Sequence, residues 1–166
     1  MKYYLIVLFI FFSSCNSINK EPKTEITNVV LSDPGNQMLH PCHWIFKVEQ
    51  NAPGEATLVS IAKIDSGWHL YSQHMAGETP LTLEFNYEAS PDYKLEGKTE
   101  EGPSKKEHDP YLKMDIIYFE TEAVFRQKVK LLSKKDFTIA GTVRNTTCLT
   151  QCVTVEDDLK FDVNAE

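Results

Sequence analysis

Apolar side chains recur at every second residue along much of this chain, and that period limits its fold more than any other feature. In residues 81–87 (LTLEFNY), Leu81, Leu83, Phe85 and Tyr87 alternate with Thr82, Glu84 and Asn86. In residues 123–131 (AVFRQKVKL), Phe125, Val129 and Leu131 take one side and Arg126, Lys128 and Lys130 the other. A period of two lines one face of a strand, whereas a helix repeats at about 3.6 residues. The same reasoning predicts strands at Trp44–Glu49, 55–64 and Trp68–Ser72, with a short one within Ile26–Leu31. The pattern continues through Phe137, Ile139 and Val143, and again through Val153, Val155, Leu159, Phe161 and Val163. Asn51–Gly54 and Asp65–Gly67 are turn signals. Residues 97–113 are rich in Gly, Pro, Lys and Glu and read as a long exposed loop. No stretch sustains a helical period. Seven to nine short strands with turns between them predict an all-β antiparallel sandwich.

The N-terminus is of another kind. Lys2 precedes an unbroken apolar run, Tyr3–Phe12, and Ser13-Ser14-Cys15 follows. Ten apolar residues fall well short of the roughly 20 that span a bilayer as a helix. They match the apolar core of a secretory signal, which small residues follow. A cysteine directly after two small residues is the feature that bacterial lipoprotein processing recognises. Residues 1–14 are therefore expected to be a lipoprotein signal peptide and Cys15 the lipidated first residue. Residues 15–40 then form a polar tether, and 41–166 a single domain. The expected location is the bacterial cell envelope, on the periplasmic face of the inner or outer membrane, with membrane contact through the lipid alone.

Of the 166 residues, 152 remain after residue 14, and Lys2 is the one charged residue lost. That leaves 16 basic against 24 acidic side chains, a balance of −8. Such a surface argues against nucleic acid, which demands a basic face. With Cys15 lipidated, the remaining cysteines are Cys42, Cys148 and Cys152. Three thiols in an oxidising compartment form at most one internal disulfide. Cys148 and Cys152 pair naturally by proximity, leaving Cys42 free or reactive.

The segment Ala140–Val155 (AGTVRNTTCLTQCVTV) is the most informative. On a helix, Cys148 and Cys152 would share a face. The flanking β-branched residues Thr146, Thr147, Thr150, Val153, Thr154 and Val155 favour strands instead. On a hairpin, Leu149-Thr150-Gln151 becomes the loop and the cysteines face each other at its base. Opposed strand positions lie about 4.5–5.5 Å apart at Cα, close enough for a disulfide. Core-facing positions on both sides of the loop are odd-numbered, and both cysteines are even. Their sulfurs should therefore point away from the core, onto an outer and exposed face. A disulfide closing so short a loop adds little stability, and an exposed one exchanges readily. The alternative is a structural hairpin staple.

With these residues placed, the chain resembles the N-terminal periplasmic domain of the DsbD thiol:disulfide interchange proteins, in a stand-alone lipoprotein form. The resemblance covers about Pro41 to Val163. It rests on Asp65–Ser72 (DSGWHLYS), on Lys106–Phe119 (KEHDPYLKMDIIYF) leading into Ala123–Leu131, and on the cysteine pair of the last hairpin. It implies an immunoglobulin-like β-sandwich whose Cys148 and Cys152 shuttle between dithiol and disulfide. It also implies partners: a membrane-embedded electron donor, and thioredoxin-like envelope proteins of disulfide isomerisation or cytochrome c maturation. The activity would be that of a protein-disulfide reductase-like relay with no cofactor and no small-molecule substrate. The family covers its cysteines with an aromatic-bearing cap loop, matched here by His108–Leu112, so Tyr111, Asp109 and His108 are the cap candidates. Two departures stand out. The family's cysteines are usually separated by a longer insert, and a proline-containing segment often follows the second, where Val153-Thr154-Val155 stands here. The chain contains neither the membrane-embedded nor the thioredoxin-like module, so electrons are expected from separate proteins. In so acidic a chain, Glu107, Asp109 or Glu156 near the pair would raise the thiol pKa.

Two further readings compete. His40, Cys42 and His43, with His69, His74 and Met75, offer soft-metal ligands, but no compact paired spacing supports a site and no metal is expected. A non-redox sandwich, an adhesion or binding module on a lipid anchor, is the second functional class. Trp68 and Tyr71 read as core aromatics.

Overall fold

The computed structural model describes residues 28–29, 39–77 and 79–164. The expected signal peptide, Cys15 and most of the expected tether lie outside the described residues. Eleven strands are present, and no helix occurs among the described residues. They are β1 (Asn28–Val29), β2 (Cys42–Ala52), β3 (Glu55–Ile64), β4 (His69–Tyr71), β5 (Glu84–Tyr87), β6 (Tyr93–Glu101), β7 (Lys105–Asp109), β8 (Met114–Phe119), β9 (Glu122–Leu131), β10 (Phe137–Cys148) and β11 (Cys152–Val163). One sheet runs β1-β2-β3-β9-β6 and the other β11-β10-β4-β8-β7, with β5 also paired to β10. Every pairing is antiparallel. This is the predicted sandwich of immunoglobulin-like type.

Its core forms where the inward residues of the two sheets meet. Trp44, Phe46, Leu58, Phe125 and Val129 come from the first sheet, and Leu70, Phe119, Ile139, Val143, Leu159 and Phe161 from the second. Aromatic rings dominate the centre, with Trp44 edge-on to Phe85 at 5.8 Å and Phe119 edge-on to Phe125 at 5.5 Å. Such offset contacts add to the area these rings bury. Period-two alternation therefore selected the right inward faces on β9, β10 and β11.

The expected long loop at 97–113 is a correction. Residues to Glu101 extend β6, and Lys105–Asp109 form β7. These strands are the outer edges of their sheets. An edge strand is protected from pairing with other chains by charged side chains, which gives it a loop-like composition. Gly97 adds to that appearance, adopting φ +71° where the β6–β9 register shifts between Glu96 and Glu100.

One edge of β10 is shared by two short strands, β4 at Thr147–Cys148 and β5 at Gly141–Arg144. Between them the chain leaves the second sheet and is tied to the first. The Ser72 hydroxyl donates to Glu101 at 2.6 Å, the Gln73 N–H donates to the same carboxylate, and the Gln73 side chain donates to the Thr99 carbonyl at 2.7 Å. The return into β5 is tight at Gly141, where an added Cβ would stand 2.0 Å from the Asn86 carbonyl oxygen. That obstacle is backbone and cannot rotate away. Gly141→Ala should therefore push β5 off β10 and destabilise the domain by about 1–3 kcal/mol. Thermal unfolding followed by circular dichroism checks this, with a loss of roughly 4 °C per kcal/mol for a domain of this size.

Candidate functional site

β10 and β11 pair in register over twelve positions, from Phe137 opposite Val163 to Cys148 opposite Cys152. Threonines secure the closed end. Thr146 lies opposite Thr154, with their hydroxyls 2.9 Å apart, and Thr146 is 3.2 Å from the Pro80 carbonyl it donates to. Leu149–Gln151 form the loop, closed by the Leu149 N–H on the Gln151 carbonyl. Cys148 and Cys152 form a disulfide with their Cα atoms 4.1 Å apart.

The odd–even argument holds along the hairpin. Ile139, Val143, Leu159, Phe161 and Val163 enter the core, while Cys148 belongs to a separate cluster. The expectation that both sulfurs are exposed is corrected, because Cys152 is exposed but Cys148 is only 7% exposed. The outer face is covered at this point by Tyr71, Met75, Ile116 and Tyr118, which pack with Cys148. Period-two analysis missed this second cluster. Its signal is the run Ile116-Ile117-Tyr118-Phe119, apolar on both faces, as expected of a strand buried on both sides.

The cap candidates sit on the β7–β8 hairpin. His108 lies opposite Asp115 and pairs with it at 3.1 Å. The Asp109 carboxylate accepts the N–H groups of Tyr111 and Leu112 and so shapes the turn. Tyr111 is 94% exposed at its tip. The cover over Cys148 in this structure comes from β4, the segment after it and β8.

The charges near the cover differ from what composition suggested. Glu107 accepts the Tyr118 hydroxyl at 3.1 Å. Burial, followed by Asp109 and Glu107, holds the Tyr71 phenol above its ordinary pKa. Burial, then the bond to Glu107, does the same for Tyr118. Glu156 lies opposite Arg144, four residues along β11 from Cys152, so it does not flank the pair. The position directly opposite Cys148 on β4 is His69.

Cys42 is free and 1% exposed, on the inward face with Trp44 and Phe46. Burial, reinforced by Asp157 and Asp65, pushes its thiol pKa far up. Beside it, Asp157 accepts the Asn145 amide at 2.8 Å and pairs with His40 at 2.7 Å. His40 and Asp157, with His43, Trp44 and Glu156, line a pocket of about 280 Å³ between β2 and β11. His43 pairs with Asp65, His69 faces Glu120, and the Met75 sulfur accepts the Ile117 N–H. Among the described residues, no group of three or more His, Cys, Asp or Glu is arranged to hold a metal ion.

The N-terminal family model of the thiol:disulfide interchange protein DsbD matches residues 36–164. Among solved structures, the N-terminal periplasmic domain of ScsB from Proteus mirabilis superposes with a TM-score of 0.57 at 17% identity. That match covers 80% of this chain and 49% of the other, so this chain spans about half of that structure. The reduced N-terminal domain of Neisseria meningitidis DsbD matches at 12% identity and a TM-score of 0.47, covering 74% of this chain and 85% of the other. No curated protein matches in sequence.

Two outcomes follow from the burial of these thiols. Cys42 should resist alkylation in the native protein at neutral pH and react only after unfolding, as mass spectrometry would record. Because its thiol keeps its proton when folded, it contributes stability below the ordinary thiol pKa of about 8.5 that is lost as pH rises further. Opening the Cys148–Cys152 bond should remove only about 2 kcal/mol, the chain-entropy value for so short a loop. The reduced domain should therefore keep its β-sheet circular dichroism.

Proposed function

Since the chain belongs to the DsbD N-terminal thiol:disulfide interchange family, we propose that Cys148 and Cys152 are its exchanging pair. The observation that carries this reading is the asymmetry of the disulfide, with Cys152 exposed and Cys148 packed against Tyr71 and Tyr118. Exchange proceeds by in-line attack of a thiolate on one sulfur, while the other departs as thiolate. Access selects Cys152 as the sulfur attacked and leaves Cys148 as the departing group. A partner dithiol then loses two electrons as the pair gains them, and the reverse sequence passes them to the next acceptor.

The partners we propose are thioredoxin-like envelope proteins and a membrane-embedded donor, serving disulfide isomerisation or cytochrome c maturation. The domain would work as a relay of the protein-disulfide reductase kind. Export by residues 1–14 and lipidation at Cys15 would hold it at the envelope, with residues 15–40 as tether and 41–166 as the working domain. Incorporation of labelled palmitate, lost in Cys15→Ser, tests the anchor. For the cap candidates Tyr111, Asp109 and His108, we propose a role at the partner-facing end of the β7–β8 hairpin. With its ring in solvent, Tyr111→Ala should leave reduction by small thiols unchanged, while Tyr71→Ala should speed it.

Thiol trapping in glutathione buffers of graded potential is the decisive experiment. Cys148 and Cys152 should titrate together as a two-electron couple in the folded protein. Cys148→Ala should capture thioredoxin-fold proteins through Cys152, and Cys152→Ala should capture few. The burial of Cys148 favours one other reading, a structural staple in a lipid-anchored binding module. A bond that stays closed until the protein unfolds would establish that reading instead.

A further inference from the structure

When the disulfide opens, negative charge must appear on the Cys148 sulfur, which sits among Tyr71, Met75, Ile116 and Tyr118. Apolar burial disfavours a thiolate. Some nearby group has to compensate that charge, or the pair will open slowly and hold its electrons poorly. His69 stands directly opposite Cys148 in the β4–β10 pairing. Side chains so opposed project from the same face with Cβ atoms about 4.5–5.5 Å apart. It is the only basic residue of β4, and Cys152–Thr154 on the other side of Cys148 contain none.

The surroundings of His69 can be followed strand by strand. From β8, the Tyr118 ring lies 4.6 Å away centre to centre. Glu120, just beyond the end of β8, faces the imidazole Nε2 at 3.5 Å. From β7, Lys105 bonds the same Glu120, and that bond, ahead of the nearby His69, holds the Glu120 carboxyl below its ordinary pKa. From β10 comes Cys148, with Cys152 opposite it on β11. An ionised carboxylate thus faces the imidazole of the residue that stands opposite Cys148 in the strand pairing. Carboxylate, imidazole and thiol brought together can hold an imidazolium against a nascent thiolate.

We propose that His69 carries the positive charge that compensates the Cys148 thiolate, so that protonation of one imidazole governs the opening and the potential of the pair. This rests on the redox reading above and adds the regulation of that site. In the balanced step, a partner thiolate bonds to the Cys152 sulfur and the Cys148–Cys152 bond breaks. Its electron pair stays on Cys148, and the imidazolium stabilises that anion or gives it a proton. Attack by the partner's second thiol on the mixed disulfide then releases the Cys152 thiolate and the oxidised partner.

The test is the rate of reduction of the oxidised protein by dithiothreitol between pH 5.5 and 8.5, divided by the reductant's thiolate concentration. In the unaltered protein this normalised rate should rise about tenfold from the alkaline to the acid end of this range. In His69→Gln it should be flat and about tenfold slower at the acid end. His69→Lys, with a permanent charge, should be flat and fast. Where His69→Gln fails to fold, Glu120→Gln keeps the imidazole but removes the carboxylate that faces it, and should lower the normalised rate at the acid end. In the reduced state, Cys152→Ser should alkylate at Cys148 about tenfold faster at pH 6 than the same variant carrying His69→Gln. A pair that titrates normally in glutathione buffers, while the pH profiles of the unaltered protein and His69→Gln coincide, overturns the role of His69 alone. A disulfide that opens at no potential overturns the redox reading and this inference with it.

Discussion

The structure depends on the register of one long hairpin. β10 and β11 oppose each other at twelve successive positions without a bulge. Side chains alternate with a period of two, so a slip of one residue would turn every inward side chain outward. Ile139, Val143, Leu159, Phe161 and Val163 would leave the core together. The hydrophobic effect therefore fixes the register along the body of the hairpin, far from the cysteines. At about 25 cal/mol per Å² of apolar surface, no local preference at the loop could overrule it. The cysteines inherit their face and their mutual distance from packing they take no part in.

The second determinant is β4, three residues long and lying between β10 and β8. Leu70 points inward and is wholly buried, so His69 and Tyr71 must point outward beside Cys148. Ser72 then turns the chain away and anchors it to Glu101 of the first sheet. That departure frees the rest of the β10 edge for β5 and leads the chain to Met75, which folds back over the outer face. A strand this short lends two side chains to the site and then lets the cover form. Charge follows the same local logic. The protein is acidic as a whole, yet the group opposite Cys148 is basic, and the nearest carboxylate, Glu120, is held by Lys105. Net charge describes solubility and long-range attraction; a pKa answers to neighbours within a few ångströms.

Which parts were legible in the sequence follows from how far apart the interacting residues lie along it. The hairpin and the outward parity of its cysteines are local, set by residues within about a dozen positions of the loop, and alternation reveals them. The burial of Cys42 was not read, because the predicted strand began at Trp44 and counting thiols left Cys42 free or reactive. Instead, β2 begins at Cys42 and turns it inward with Trp44 and Phe46. The cover on Cys148 was not legible, because Tyr71, Met75, Ile116 and Tyr118 lie 30 to 77 positions from it along the chain and reach it only through strand pairing. β6 and β7 were concealed by their situation at sheet edges, where the charges that prevent aggregation resemble those of a loop. His69 was visible as a residue but not as a neighbour of Cys148, for that contact exists only once the β4–β10 register is known.

A disulfide that did nothing but stabilise would be better placed across a longer loop, where it would restrict more of the unfolded chain. This one closes three residues at the end of strands already held by eleven other pairs. Its chemical setting has more consequence than its mechanical one. Cys152 is exposed, while Cys148 is covered by the second apolar cluster. Burial also makes the departing thiolate costly unless a charge compensates it, so the rate of opening becomes sensitive to the few groups on that face. On the proposed redox reading, the cover over Cys148 and the residue opposite it would be parts of one device: the first would raise the barrier to indiscriminate exchange, and the second would decide under which conditions the barrier falls.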